Sequence, residues 1–105
     1  MARNPELNTQ ARRRACAAVE RTQTNCHLCG LPIPMGANRQ TDPYGFSVDE
    51  VIPRSKGGSA TDMGNLRAAH RICNSRRSNR PITPTLLVEL RAAITQRAET
   101  TSRTW

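Results

Sequence analysis

Cys26-x-x-Cys29 and His70-x-x-Cys73 are two pairs of soft metal ligands, and between them lies an acidic pair, Asp49-Glu50. Asn74 follows directly on the last cysteine. Thiolates and an imidazole at these spacings suit tetrahedral Zn²⁺. A Cys-x-x-Cys turn converges two sulfurs on one ion, and a three-residue spacing on the first turn of a helix supplies two further ligands. The carboxylates and the Asn74 amide are hard oxygen donors, which favour Mg²⁺ or Mn²⁺ over a second zinc. Two metal sites can therefore coexist, one holding the fold and one doing chemistry.

A disulfide framework does not explain why a histidine takes a cysteine-like position, so zinc is the better reading of Cys26, Cys29, His70 and Cys73. Cys16 stands alone in an Arg/Ala-rich stretch and is expected to be a small buried thiol on a helix. His27, between the first two ligands, is expected to point outward and is not counted among them.

The elements that must position these residues are short. Residues 4–22 read as a helix, with Asn4 as N-cap, Pro5 and Glu6 in the first turn, and a thin stripe of Leu7, Ala11, Ala15, Ala18 and Val19. That stripe leaves Arg12 and Arg13 outside, either on a solvated face or against phosphate. The Gly/Pro-rich stretch from Cys26 is a turn-forming knuckle. Residues 47–53 read as a strand stopped by Pro53, residues 54–64 as a loop, and residues 65–68 as a second strand. A helix is expected from Ala69 to about Asn79, ended by Pro81, and another from Thr83-Pro84 with a Leu87, Leu90, Ile94 stripe. The Thr-Ser-Arg-Thr tail is expected to fray.

A chain of 105 residues with 36% apolar content, and only Tyr44, Phe46 and Trp105 as aromatics, has a modest core. A structural metal would add what burial alone does not. One domain over residues 1–105 is expected: an N-terminal helix in 1–25, a metal-bearing core in 26–80, and a C-terminal helix and tail in 81–105. No apolar run approaches the ~20 residues of a membrane span, and no signal-peptide core follows Met1, so a soluble cytoplasmic protein is expected. The net charge of +8 is concentrated in residues 54–80, where six arginines and Lys56 face Asp62 alone. Arginine outnumbers lysine fifteen to one, and its guanidinium fork suits phosphate oxygens. Nucleic acid is the implied partner.

Cys26-His-Leu-Cys-Gly, Val48-Asp-Glu-Val-Ile-Pro-Arg-Ser-Lys-Gly-Gly58, Asn65-Leu-Arg and His70-Arg-Ile-Cys-Asn-Ser-Arg-Arg77 together resemble the HNH endonucleases, in particular the small zinc-stabilised ones of bacteria and phages. The resemblance covers about residues 26–80. It implies an α+β ββα-metal core with flanking helices, acting on DNA with one divalent cation held against the scissile phosphate. By position it makes Asp49 and Asn74 ligands of that cation. Asn65 becomes the residue that ties the loop and aims the catalytic side chain. His70 matches a position usually held by a third zinc cysteine; as an alternative it would be the catalytic imidazole. Small proteins of this type often occur beside phage DNA-packaging genes, so genome processing with terminase or packaging proteins is an implied role.

Glu50 departs from the family pattern, which places a water-activating histidine there. An imidazole suits that task because its pKa of ~6.5 lies near neutrality. A carboxylate, ordinarily ~4.3, is a weaker base but fully ionised at pH 7. Glu50 is expected either to take a proton from water or to coordinate the cation. Neighbouring strand residues point to opposite faces, so Asp49 and Glu50 converge only if the strand bends or ends there. Arg54, Lys56, Arg67, Arg71, Arg76, Arg77 and Arg80 are the expected DNA-binding residues, with Arg77 as the preferred phosphate clamp because it shares a helix face with Asn74. A catalytically inactive zinc-stabilised DNA-binding module is the alternative to an enzyme.

Overall fold

The computed structural model describes residues 9–102, with side chains through residue 96. Helix α1 spans Gln10–Thr22, strand β1 Phe46–Glu50, strand β2 Leu66–His70, helix α2 Arg71–Arg77 and helix α3 Pro84–Ser102. β1 and β2 form a two-stranded antiparallel sheet in which Phe46 opposes His70 and Glu50 opposes Leu66. The architecture is α+β, and β1, β2 and α2 follow in the order that a ββα core requires.

α1 starts later than its sequence suggests. Thr9 is extended (φ −78°, ψ 156°), and its hydroxyl accepts from the Arg12 backbone N–H, so it caps the helix. The expected cap at Asn4 lies outside the described residues. The inward face also differs from the expected stripe. Ala15 and Val19 are buried, but Ala11 is exposed. Arg12, Ala15, Cys16 and Val19 have the i, i+3, i+4, i+7 spacing of one face, so that face brings Arg12 inward. Cys16 is only half-buried, not the core thiol expected.

The knuckle between α1 and β1 is closed by its own backbone. Cys26 N–H donates to the Leu31 carbonyl, Gly30 N–H to Cys26, and Asn25 and Pro32 form an isolated bridge. Gly30 adopts φ +81°, a region that penalises side chains, where the chain turns back after Cys29. The knuckle then docks on the sheet through His27 N–H to the Ala68 carbonyl.

β1 ends at Glu50, three residues before the expected stop, and Val51-Ile52 form a bend. Gly58 lies against that bend: a Cβ there would sit 1.6 Å from the Ile52 carbonyl oxygen, so no larger residue fits. β2 runs two residues beyond its expected end and passes directly into α2. The first α2 amides find acceptors in the preceding loop, Arg71 N–H on Gly45 and Ile72 N–H on Pro43. α2 stops early because Ser78 takes φ +54°. α3 closes the core with Leu86, Leu90 and Ile94 packed with Val19, Leu28, Phe46 and Leu66, and Leu87 sits at the margin. Its helix continues to Ser102, through part of the tail expected to fray, and the rest of that tail lies outside the described residues. No helix among the described residues is long and apolar enough to cross a membrane.

Candidate functional site

The knuckle and the β2–α2 junction bring Cys26, Cys29, His70 and Cys73 into one buried cluster, with their ligand atoms all within 4.8 Å of one another. His70 Nδ1 is 3.3 Å from Cys29 Sγ and 3.8 Å from Cys73 Sγ. Tetrahedral zinc, with bonds of ~2.0–2.3 Å, sets its ligand atoms roughly 3.5–3.8 Å apart, close to the two distances from His70. The Pro32 carbonyl accepts from His70 Nε2 at 2.9 Å, which leaves Nδ1 as the lone-pair nitrogen facing the sulfurs. Tyr44 packs edge-on against the same ring.

Electrostatics in the cluster support a cation. Hydrogen bonds with Cys29 and Cys73 push the Cys26 thiol far down, against the cost of burial. Hydrogen bonding to Cys26 and Cys29, with burial added, pushes Cys73 far up. Burial opposes a charged His70, but hydrogen bonds to Cys26, Cys29 and Pro32 outweigh it and raise its pKa to about 10. Three sulfurs in one dry pocket cannot all be anionic unaided, and a dication removes that conflict. The cluster could hold zinc.

A polar cleft of about 180 Å³ is lined by Asp49, Glu50, Asn74, Arg12, Arg54 and Arg77. The strand ends at Glu50, and both carboxylates reach this one cleft. Asn74 is oriented by its amide hydrogens, which go to Ser47 Oγ at 2.9 Å and the Val48 carbonyl at 3.3 Å. A carbonyl only accepts, so this contact fixes which amide atom is nitrogen. Among the described residues no hydrogen bond falls on Asn74 Oδ1. Asp49 is 4% exposed, and its contacts fall on Oδ2, from His27 Nε2 at 2.7 Å and Arg77 Nη1 at 2.8 Å. Glu50 lies between Arg12 Nη1 at 3.3 Å and Arg54 Nε at 3.1 Å. The oxygens of Asp49, Glu50 and Asn74 are a hard donor set, and they fit Mg²⁺ or Mn²⁺ in kind.

Asn65 closes the loop between the strands. Its Oδ1 accepts from Ile52 N–H at 2.8 Å, and its Nδ2 donates to the carbonyls of Ile52 and Ser59 at 3.0 and 2.8 Å. This clamp fixes the bend just after Glu50.

Two expectations are corrected here. Arg77 is not a phosphate clamp, because it is 1% exposed and turned into the protein. Its guanidinium holds Asp49, the carbonyls of Glu50 and Val51, and the Arg80 carbonyl. Those bonds leave it little capacity for DNA. His27 does not point outward: its ring reaches across to Asp49 and joins the knuckle to the cleft. The spacing of His27 from Cys26 carries no signal of this, because the direction depends on how the knuckle lies across β2.

Arg12 is a third residue at the cleft that its helix pattern understates. The remaining expected DNA-binding residues spread around the site. Arg54 is at the cleft, and Lys56, Arg71, Arg76 and Arg80 are exposed. Arg67 is half-buried, with Nη1 on the Met63 and Leu66 carbonyls. Arg80 also pairs with Glu89 on α3.

The family model for HNH endonucleases matches residues 26–80, from the first cysteine of the cluster to the arginine beyond α2. No curated protein and no solved structure matches the chain. With a ββα core, a Cys₃His cluster and more than half its length within the match, this chain belongs to the HNH endonuclease family.

Proposed function

We propose that this chain is a metal-dependent DNA endonuclease that hydrolyses phosphodiester bonds in the cleft of Asp49, Glu50 and Asn74. The observation that carries this reading is the convergence of those three side chains at the end of β1, rimmed by arginines. Asp49 and Asn74 would hold a Mg²⁺ or Mn²⁺ ion, and such an ion supplies charge neutralisation at the phosphate and the leaving oxygen. Glu50 takes a proton from the attacking water as its oxygen bonds to phosphorus and the P–O bond to the leaving oxygen breaks. Asn65 aims Glu50 through the Ile52 bend. Lys56, Arg71 and Arg76 hold the duplex backbone, a mode that brings steep salt dependence and little base preference. The resemblance to small phage nucleases supports a place in phage genome processing, beside terminase or packaging proteins.

A second reading is favoured by the ion pairs at the cleft. With Glu50 held by Arg12 and Arg54, and Asp49 by Arg77 and His27, both carboxylates are paired without substrate, as suits a noncatalytic zinc-stabilised DNA-binding module. A plasmid-nicking assay with Mg²⁺ or Mn²⁺ separates the two. A nuclease nicks as wild type and loses about 10²–10⁴-fold in rate as Glu50→Ala. Asn74→Ala should fall with it. Wild-type protein that binds DNA but fails to nick with either metal is the binding module.

A further inference from the structure

α1 lies outside the 26–80 match, yet it reaches the cleft that the family motif builds. Arg12 Nη1 donates to the Ala60 carbonyl at 2.8 Å and lies 3.3 Å from Glu50 Oε2. The two side chains are only 16% and 12% exposed. A guanidinium loses hydration at such a position and is kept there only by partners. Its shorter bond is to a main-chain oxygen, which is independent of Glu50. Among the described residues no bond uses Arg12 Nε or Nη2. If Glu50 turned away, Arg12 would therefore stay on the cleft wall with donors to spare. A phosphate offers the same paired oxygens as a carboxylate, and guanidinium groups bind both.

We propose that Arg12 is a phosphate-binding residue that exchanges partners. Without DNA it holds Glu50; with DNA it passes to the phosphate in the cleft and leaves Glu50 facing water. Arg54, on the same carboxylate, keeps Glu50 from swinging out. The exchange rests on the proposed reading of the cleft as a phosphodiester site, and it makes α1 part of that site.

The test is carried out in a Glu50→Gln background, where Arg12 has no carboxylate left to neutralise. Zinc-loaded protein without other divalent metal is titrated onto a short fluorescent duplex at several salt concentrations. Adding Arg12→Ala should weaken binding about tenfold, within the range of a direct charged contact, and lower the salt slope by about one. Arg14→Ala removes the same charge from an exposed position of the same helix and should stay within about twofold. Arg12→Gln keeps a donor for the Ala60 carbonyl and replaces alanine if that variant unfolds. Equal effects at positions 12 and 14 overturn the exchange and leave Arg12 as a structural partner of Glu50. The readout needs no cleavage, so a wild type that fails to nick would refute the nuclease reading without deciding this one.

Discussion

His27 Nε2 donates to Asp49 Oδ2 across 2.7 Å, and this one bond links the Cys26–Cys29 knuckle to the cleft. Cys26 and Cys29, on either side of His27 in the knuckle, belong to the cluster that could hold zinc, so zinc binding would carry the ring on a stiff base. With Arg77 on the same oxygen, Asp49 is fixed in orientation from two sides.

His27→Ala should slow nicking about 10–100-fold, the usual cost of losing a partner that orients a metal ligand. His27→Gln, which keeps an N–H donor, should recover most of the rate. Zinc content by mass spectrometry should be unchanged in both. Loss of zinc along with activity would make His27 a part of the knuckle's fold and nothing more.

Removing zinc should unfold the core, because the knuckle, β2 and α2 share the ligands. Chelation, Cys26→Ser or Cys73→Ser should abolish the cooperative melt seen by circular dichroism, and zinc should restore it to the chelated wild type. The cysteines must be thiolates and His70 must be unprotonated at Nδ1 to bind the metal, so acidification should release zinc and unfold the protein together. A chelated protein that melts at the wild-type temperature would refute a structural role for the metal.

Arg77→Ala should cost roughly 3–5 kcal/mol of stability, because it strands the buried Asp49 carboxylate and two backbone carbonyls at the end of β1. Arg77→Lys should recover little, since one ammonium cannot span Asp49, Glu50 and Val51 as the planar fork does. Urea denaturation measures both. If Arg77→Ala weakened DNA binding while stability held, the side chain would be a phosphate contact after all.

Asn65→Ala should cost roughly 2–4 kcal/mol, since it leaves Ile52 N–H and the carbonyls of Ile52 and Ser59 without their partner. The bend that presents Glu50 should loosen with it, so kcat should fall more than DNA affinity. Hydrogen exchange at the Ile52 amide gives the direct check. Unchanged protection there would mean that another group holds the bend.

The zinc cluster is legible in the sequence because ligation dictates residue type and spacing together, and Cys26, Cys29, His70 and Cys73 satisfy both. The strands and α2 are legible to within a few residues through Pro53, Pro81 and the glycine-rich loop between the strands. Arg12 and Arg77 were harder. Their burial depends on carbonyls supplied by remote backbone, Ala60 for one and Glu50, Val51 and Arg80 for the other, and no periodicity announces a carbonyl. The α1 stripe was displaced for a related reason: Ala11 and Arg12 are adjacent, and apolarity alone assigns the wrong one to the inward face.

His70 ends β2, precedes α2, and opposes Phe46 across the sheet. Once its Nδ1 is ligated, the knuckle, β2 and α2 are tied at one point, and from that assembly His27 reaches Asp49 and Asn74 reaches Ser47 on β1. A slip of one residue would reverse every side chain of β1, turning Asp49 away from the cleft and Ser47 away from Asn74. A cluster built to hold a metal for the fold would thus work as a ruler for the strand that carries Asp49 and Glu50.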